Sequence, residues 1–350
     1  MKVLGIETSC DECSAAVVQD GEKILSNVIA TQIPFHAPWN GVVPEIASRK
    51  HTEWIYAVTK EALEKANLDV SEIDAVAVTS RPGLLGSLLV GLSFAKAFAW
   101  ARNIPFIAVD HMLAHLYAPR LMADADGKTH TSAPVKRPEY PFLGLLVSGG
   151  HTIICRADNF DNITVMGTTI DDAAGEAFDK VAKHYGFGYP GGKVIDDMAR
   201  RGESGAFNFP MPSLHKGEHR YDVSYSGLKT AVINQLEMFR VKQREITNED
   251  IAASFQKTAV EILLRALLNA AEDTGLDTIV AGGGVAANSS LRSRLAEYPR
   301  LRCIFPPLDL CGDNAAMIAG LGYHYLARGE QSSLNVIPYA RVTGFKKKYP

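Results

Sequence analysis

The sequence predicts an α/β protein built from two copies of one unit, and three observations favour this fold class. The chain has 350 residues, more than one hydrophobic core usually organises. A strand–turn–strand pattern at the start returns near residue 142. A strand followed by a glycine-containing turn and a helix also occurs once in each half. Because no short repeat period is present, a duplicated α/β unit accounts for these patterns better than a solenoid.

The first repeated pattern is a pair of apolar strands joined by a polar turn. In the N-terminal half, strands at 3–6 and 14–18 flank such a turn. In the C-terminal half, strands at 142–147 and 153–156 flank Ser-Gly-Gly-His-Thr (148–152). Backbone N–H groups and hydroxyls in two facing turns can enclose a nucleotide between domains, as in actin-like ATPases and sugar kinases. A purely structural hairpin turn is the alternative.

The second repeated pattern is a strand that leads through a glycine-containing turn into a helix. Strands at 75–79 and 278–281 show it, and a further strand follows at 105–109 and at 301–305. We therefore expect a duplicated α/β fold of two related domains. The predicted segments are an N-terminal domain (1–121), which a last helix near 313–330 joins, a linker or surface loop (122–141), a C-terminal domain (142–312) and a basic tail (331–350).

Composition and charge describe an ordinary folded protein, with 47% hydrophobic and 21% charged residues. The net charge of −3 argues against a uniformly basic nucleic-acid-binding surface but leaves local patches open. Two clusters of basic residues fit either a solvated surface or an RNA contact: Lys128, His130, Lys136 and Arg137 in the predicted loop, and Arg341, Lys346, Lys347 and Lys348 in the tail.

The apolar stretches and the cysteines predict the compartment. The run 84–95 is too short to cross a bilayer, and 1–6 is too short for the core of a secretory signal. Five cysteines, an odd number, fit a reducing environment, so we expect a cytoplasmic protein. Cys10 and Cys13 form a Cys-x-x-Cys, but no second pair stands at zinc-ribbon spacing. We therefore predict neither a zinc nor a redox role for them.

Two histidines four residues apart, His111 and His115, follow an apolar strand and lie at the start of a segment that is predicted to be a helix. Residues at i and i+4 share one helix face, so both imidazoles could bind one metal ion. A zinc peptidase of the His-Glu-x-x-His type needs a glutamate beside its first histidine, and this chain has Met112 there. The pattern therefore disfavours that peptidase, and a polar surface pair remains the alternative.

Asp313, in Cys-Gly-Asp-Asn-Ala-Ala-Met (311–317), precedes the last long helix. An aspartate at this place is either a helix N-cap or a further ligand for the two histidines. Two imidazoles and one carboxylate would leave coordination positions open for substrate and would suit iron or zinc.

Three further motifs suggest contacts with a nucleotide. The glycine-rich turn 282–288 precedes a helix and resembles a dinucleotide fingerprint, but the expected acidic residue is missing, which favours a ribose or phosphate contact through Asn288. The acid-rich helix start 171–180 contains Asp179, and Asp196 follows the turn Tyr-Pro-Gly-Gly (189–192). Ribose hydroxyls and structural ion pairs are both natural partners for these carboxylates.

Taken in order, the motifs resemble one family, the tRNA N6-adenosine threonylcarbamoyltransferases, formerly described as glycoproteases. Nine segments spread from residue 1 to about 330 carry the resemblance: 5–12, 41–45, 111–115, 146–152, 171–180, 189–192, 226–230, 282–288 and 312–318. Each motif alone is weak, whereas nine in the same order and spacing identify the family.

The resemblance implies an actin-like (ASKHA) α/β fold of two ribonuclease-H-like domains with a central cleft for nucleotide and metal. It also implies an acyltransferase of the bacterial (TsaD-type) form. Such an enzyme transfers the threonylcarbamoyl group from threonylcarbamoyl-AMP to N6 of adenine 37, next to the anticodon, in tRNAs that read codons beginning with A. The implied partners are tRNA, a paralogous actin-like protein (TsaB-type) and a small ATPase (TsaE-type), with no membrane involved. An actin-like sugar kinase or ATPase is the alternative function.

The resemblance also implies the site residues. One divalent metal ion per subunit, Fe²⁺ or alternatively Zn²⁺, is expected on His111, His115 and Asp313. Asp11 or Glu12 is a candidate for the catalytic proton acceptor. An ATP- or AMP-type nucleotide, or threonylcarbamoyl-AMP itself, is expected to contact Leu146, Val147, Ser148, Gly149, Gly150, Asp179, Gly192, Asp196 and Asn288.

The chain departs from the family pattern at a few positions. Ser80 and Arg81 precede Pro82-Gly83 where the family generally has a small residue and glycine. Arg81 is expected to add a charge near the nucleotide cleft or on a partner surface. None of the departures falls on a predicted metal ligand.

Overall fold

The computed structural model describes residues 1–123, 137–214 and 217–341. These residues form two compact units: residues 1–123, 137 and 306–341 make up the first, and residues 138–214 and 217–305 the second. The predicted basic positions Lys128, His130, Lys136, Lys346, Lys347 and Lys348 lie outside the described residues, as does most of the predicted loop 122–141. Within the described ranges, no helix is both long and apolar enough to cross a membrane.

The helices and strands of the first unit are β1 (Lys2–Glu7), β2 (Glu12–Gln19), β3 (Lys23–Thr31), α1 (Ile33–His36), α2 (Pro44–Lys65), β4 (Ala75–Arg81), α3 (Leu85–Arg102), β5 (Phe106–Asp110), α4 (His111–Tyr117), β6 (Met122–Ala123) and, after the second unit, α10 (Ala315–Ala327). Those of the second unit are β7 (Phe142–Val147), β8 (Thr152–Asn159), β9 (Asn162–Thr168), α5 (Ala174–Tyr185), α6 (Gly191–Ala199), α7 (Ser226–Asn234), α8 (Asn248–Thr274), β10 (Thr278–Gly282), α9 (Ser289–Ala296) and β11 (Arg302–Ile304).

The two sheets share one topology, which confirms the predicted duplication. The first has the strand order β5-β4-β1-β2-β3-β6, and the second has β11-β10-β7-β8-β9. In each, an antiparallel three-strand meander continues through parallel pairing into two further strands. The parallel strands are buried and apolar because helices cover their faces.

The first unit is layered around β1, whose side chains alternate between the two faces of the sheet. Leu4 and Ile6 join an apolar core with residues of α2 and α3, including Ile55 and Leu92. The residue between them, Gly5, faces α10: a Cβ atom there would lie 2.2 Å from the carbonyl oxygen of Ala315. Glycine therefore lets α10 pack directly on the strand, close to the residues that precede the helix.

The start of α8 in the second unit is fixed by a charged cap. The Thr247 hydroxyl accepts a hydrogen bond from the backbone N–H of Asp250, whose carboxylate accepts one from the N–H of Thr247. The same carboxylate accepts hydrogen bonds from Arg244, at 2.9 Å, and from the N–H of Glu203, at 2.7 Å. Burial opposes ionisation, but these donors outweigh it and lower the pKa of Asp250.

Replacing Asp250 by asparagine is therefore expected to lower the free energy of unfolding by about 1 kcal/mol at pH 7. A lowered carboxyl pKa stabilises the folded state above the unfolded value near pH 4, and this contribution disappears as pH falls toward the folded value. The difference in the free energy of unfolding between wild type and Asp250→Asn, measured by urea unfolding, should accordingly become smaller below pH 4. The control is Asp197→Asn, at an exposed position. If the free-energy difference for Asp250→Asn did not depend on pH, the stabilisation by Asp250 would not be electrostatic.

Candidate active site

Both histidines of the predicted metal pair lie on α4, and a helix cap sets where that helix begins. The last residue of β5, Asp110, accepts hydrogen bonds from the backbone N–H groups of Met112 and Leu113, at 3.0 and 3.3 Å. A carboxylate in this position is a favourable N-cap, so the helix starts at His111. His111 and His115 then stand one turn apart, and both side chains are buried.

Asp313 reaches the same place from the segment before α10. The N-cap of α10 is Asn314, whose side-chain oxygen accepts the N–H of Met317 at 3.0 Å, so the N-cap interpretation of Asp313 was wrong. One Asp313 carboxylate oxygen instead lies 3.3 Å from Nε2 of His111 and 3.2 Å from Nε2 of His115. The two Nε2 atoms are 3.2 Å apart.

These three atoms have the arrangement expected of metal ligands. Two imidazole nitrogens and a carboxylate oxygen are all Lewis bases, and a cation between them would accept an electron pair from each. Metal–ligand bonds of roughly 2.0–2.1 Å in a tetrahedron would separate the ligand atoms by roughly 3.3 Å. The observed separations of 3.2–3.3 Å match this value, so the residues present fit a metal ion.

A buried carboxylate orients the first histidine. Glu7, at the end of β1, is fully buried and accepts the Nδ1–H of His111 at 2.9 Å. Glu7 also accepts hydrogen bonds from the Thr79 hydroxyl and the backbone N–H of Ser9. A carboxylate on Nδ1 leaves the Nε2 lone pair for a metal and makes the imidazole a stronger ligand. Sequence reasoning missed this role, although a glutamate in the apolar strand Val-Leu-Gly-Ile-Glu was a signal for it.

Charges in the site shift the pKa values of the two histidines in opposite directions. Burial lowers the pKa of His111, but the carboxylates of Asp313 and Glu7 outweigh burial and raise it well above its usual value. Burial and the neighbouring His111 lower the pKa of His115. Burial would raise the pKa of Asp313, but the two histidines more than offset this and lower it. The lowered pKa values favour the ionised carboxylate of Asp313 and the neutral imidazole of His115, which are the forms that bind a metal ion, whereas a metal ion would have to displace a proton from His111.

The Glu7→Gln variant is expected to weaken metal affinity by about 10- to 100-fold, because glutamine keeps the shape of the side chain but removes the charge that orients His111. The dissociation constant is measured by titrating the metal-free protein with Zn²⁺ against a chelating dye. Glu53→Gln, on the exposed face of α2, is the matched control. An unchanged dissociation constant would show that Glu7 does not orient His111 for metal binding.

Asp11 lies in the turn that joins β1 to β2, and Glu12 is the first residue of β2, in the same unit as the histidines. The backbone of this turn is fixed from two sides. His51 donates from Nε2 to the Cys10 carbonyl at 2.9 Å, and the N–H of Gln32 donates to the Asp11 carbonyl at 2.9 Å. Burial, then the negative charges of Asp11 and Asp313, raise the pKa of Glu12 well above its usual value. Glu12 is thus able to carry a proton at a higher pH than an ordinary carboxyl group.

The predicted nucleotide-contact residues lie in the second unit, where the turns after β7 and β10 meet. Leu146 and Gly282 pair across these parallel strands, so the turns that follow them lie at the same edge of the sheet. Gly283 has a φ of +92°, and a Cβ atom there would lie 2.4 Å from the Val147 carbonyl oxygen. Only glycine fits this close approach. The neighbouring Ser148 hydroxyl accepts a hydrogen bond from the N–H of His151 at 3.2 Å.

The remaining predicted contacts are joined by hydrogen bonds within this unit. Asp179 accepts the backbone N–H of Gly191 at 2.8 Å, beside Gly192 at the start of α6. Asp196 accepts the Ser289 hydroxyl at 2.7 Å and the Gln256 amide at 3.0 Å.

Gln256 is a residue that sequence reasoning missed. It also accepts a hydrogen bond from the side chain of Asn288 at 2.8 Å, so it links Asn288 to Asp196. The other end of the Asn288 amide caps α9. A buried glutamine within the largely apolar helix α8 was the signal available.

The acid-rich segment 171–180 differs from the predicted helix start. Helix α5 begins only at Ala174, so Asp171 and Asp172 precede it. Asp171 accepts the backbone N–H of Tyr225 at 2.8 Å, just before α7, and Asp172 forms ion pairs with Lys180 and Lys229. Tyr225 and Lys229 lie 54 and 57 positions away along the chain, which is why local pattern could not assign them.

Fold and site together define a class: an actin-like α/β protein of two related units, with a buried two-histidine, one-carboxylate group. A sequence model of the family described as TsaD, tRNA N6-adenosine threonylcarbamoyltransferase, matches residues 23–320. The chain belongs to this family.

Curated relatives support this assignment, and two solved structures share the fold. A protein of Treponema denticola named tRNA N6-adenosine threonylcarbamoyltransferase is 65% identical over 348 residues, which cover 99% of both chains. One of Borreliella burgdorferi with the same name is 50% identical and covers 100% of this chain and 96% of its own. Component A of (R)-2-hydroxyglutaryl-CoA dehydratase from Acidaminococcus fermentans shares the fold, with a TM-score of 0.53 at 16% identity, covering 93% of this chain and 99% of its own. HypF has a TM-score of 0.57 at 14% identity, covering 95% of this chain and 56% of its own.

Proposed function

We propose that this protein transfers the threonylcarbamoyl group from threonylcarbamoyl-AMP to N6 of adenine 37 in tRNAs that read codons beginning with A. The product is threonylcarbamoyladenosine, and AMP is released. Family membership supports the reaction. The observation in this chain that carries the proposal is the convergence of His111, His115 and Asp313 to 3.2–3.3 Å.

We assign one divalent metal ion per subunit to these three residues, with Fe²⁺ as the first choice and Zn²⁺ as the second. When bound, the ion supplies Lewis acidity toward the carbamoyl carbonyl of the donor. The residues themselves hold the ligand atoms in place: Glu7 fixes the tautomer of His111, and burial excludes water from both imidazoles.

The protein must mainly position the two reactants, because the lone pair of adenine N6 is delocalised into the ring and is a weak nucleophile. N6 attacks the carbamoyl carbon, the bond from that carbon to the phosphate oxygen breaks, and AMP departs with the electron pair. The proton lost from N6 passes to Glu12 or Asp11. The raised pKa of Glu12 supports this assignment, because it makes that carboxylate the stronger base.

In the second unit, we assign contacts with the AMP portion of the donor to Leu146–Gly150, Asp179, Gly192, Asp196 and Asn288. Gly149 and Gly150 are exposed, and no described atom lies within 4 Å of where their Cβ atoms would be. A phosphate can therefore approach their backbone closely. Asp196 and Asn288 are held by Gln256 and offer polar atoms suited to ribose hydroxyls.

The test is the formation of threonylcarbamoyladenosine in tRNA. The purified protein is incubated with Fe²⁺, tRNA, threonine, bicarbonate, ATP, the enzyme that makes threonylcarbamoyl-AMP, and the TsaB-type and TsaE-type partners that we also propose. The digested nucleosides are then analysed by mass spectrometry. We expect the modified nucleoside with adenine at position 37 and none with guanine there. Its absence from the complete mixture would overturn the proposal.

The alternative, an actin-like sugar kinase or ATPase, is disfavoured by the family membership. It predicts phosphorylation of a small substrate and no requirement for His111.

A further inference from the structure

The end of β4 contains a bulge that places Arg81 opposite the last residue of β5. Thr79 pairs with Val109 and Arg81 pairs with Asp110, so Ser80 is one residue extra on its strand. A bulge of this kind changes the direction in which the following side chain points. The Ser80 carbonyl accepts the backbone N–H of Tyr339 at 2.9 Å, so the bulge is held from the C-terminal segment as well.

The side chain of Arg81 contacts the carboxylate that caps the metal-site helix. Its Nε lies 3.3 Å from Oδ2 of Asp110, while Oδ1 of Asp110 accepts the N–H groups of Met112 and Leu113. The Asp110 side chain is only 2% exposed, whereas that of Arg81 is 38% exposed. One buried carboxylate thus joins a guanidinium at the surface to the first turn of α4.

This contact matters because α4 is short and carries both histidines. A helix of seven residues is not stable by itself, so its cap and its tertiary contacts decide where it begins. His111 is its first residue, directly after Asp110. If Asp110 lost the neighbouring positive charge of Arg81, the first residue affected would therefore be His111, a proposed metal ligand.

We propose that Arg81 is a positioning residue for the metal centre: by pairing with Asp110, it holds the cap of α4 and thereby the geometry of His111 and His115. Arg81 touches neither the metal ligands nor the reacting atoms in this role. The inference rests on the proposed metal site, and its test is a metal-binding measurement that needs no tRNA.

The experiment titrates metal-free protein with Co²⁺, whose visible absorption reports both occupancy and coordination geometry. For Arg81→Met we expect the Co²⁺ dissociation constant to rise about tenfold, with an altered spectrum. Arg81→Lys should recover most of the affinity, because it restores the cation. Arg102→Met, at the exposed end of α3, is the control and should bind Co²⁺ as wild type does.

Two further measurements separate positioning from a general loss of stability. In an Asp110→Asn background, Arg81→Met should change the dissociation constant by less than twofold, because its partner charge is gone. Without metal, hydrogen exchange at Met112 and Leu113 should be faster in Arg81→Met, while exchange in the second unit stays unchanged. Faster exchange throughout the protein would overturn the inference.

The outcomes distinguish this inference from the proposed function. If wild-type protein binds no Co²⁺, the metal assignment itself fails. If wild-type protein binds Co²⁺ and Arg81→Met has the same dissociation constant and spectrum, Arg81 has no positioning role and the metal assignment stands.

Discussion

Alanine at both His111 and His115 is expected to abolish metal binding and tRNA modification together. The double variant leaves Asp313 as the last of the three converging ligand residues, and one carboxylate holds a transition metal only weakly. Because the ion supplies the Lewis acidity in the proposed reaction, we expect the modification rate to fall by about 10³-fold or more. Metal content is measured by elemental mass spectrometry and modification by nucleoside mass spectrometry.

The control for this variant is His184→Ala, an exposed histidine of α5 in the second unit. It should keep its metal and its activity. Circular dichroism is measured alongside, because a wild-type spectrum of the double variant shows that the loss of metal and activity does not come from unfolding. If the double variant modified tRNA fully without bound metal, the assignment of the metal to these residues would be contradicted.

Replacing Gly5 by alanine is expected to destabilise the first unit by about 3 kcal/mol and to weaken metal binding as well. The new Cβ atom would lie 2.2 Å from the Ala315 carbonyl oxygen and 3.0 Å from Ala319, so α10 must move away from β1. Asp313 lies two residues before the start of this helix, and a shift there displaces a metal ligand. Urea unfolding measures the first effect and Zn²⁺ titration the second.

Gly227→Ala is the matched control for this prediction. Gly227 is an exposed position of α7 where a Cβ atom would meet no described atom within 4 Å. Alanine there should stabilise the protein by about 0.5–1 kcal/mol, because it is the better helix former. If Gly5→Ala also proved neutral or stabilising, the close packing of α10 on β1 would be refuted.

Several parts of the fold could be predicted because they depend on local pattern. Apolar runs bounded by polar turns located β1, β2, β7 and β8, since a buried strand and its turn are defined by adjacent residues. The repeat of that pattern predicted two units of like topology, which the sheets confirm. The i, i+4 spacing likewise predicted that His111 and His115 share a helix face.

Other parts could not be predicted because their partners are distant in sequence. The residues alone left Asp313 as either a cap or a ligand, 198 positions from His115, and the resemblance to a family was needed to choose between them. Nothing local connects Glu7 to His111, Gln256 to Asn288, or Asp171 to the start of α7. Arg81 was singled out as unusual, but its pairing with Asp110 depends on the bulge between β4 and β5.

The sequence by itself determined the repeated strands, the duplication, the family and the residue types of a metal site. Only the tertiary structure decided which oxygens and nitrogens meet at 3.2–3.3 Å, which carboxylate orients His111, and which cation faces the cap of α4. The physical reason is the range of the forces. Hydrophobic periodicity depends on neighbouring residues and can be seen in the sequence. A hydrogen bond or a metal contact needs atoms placed to within tenths of an ångström, and only the packing of distant segments sets that placement.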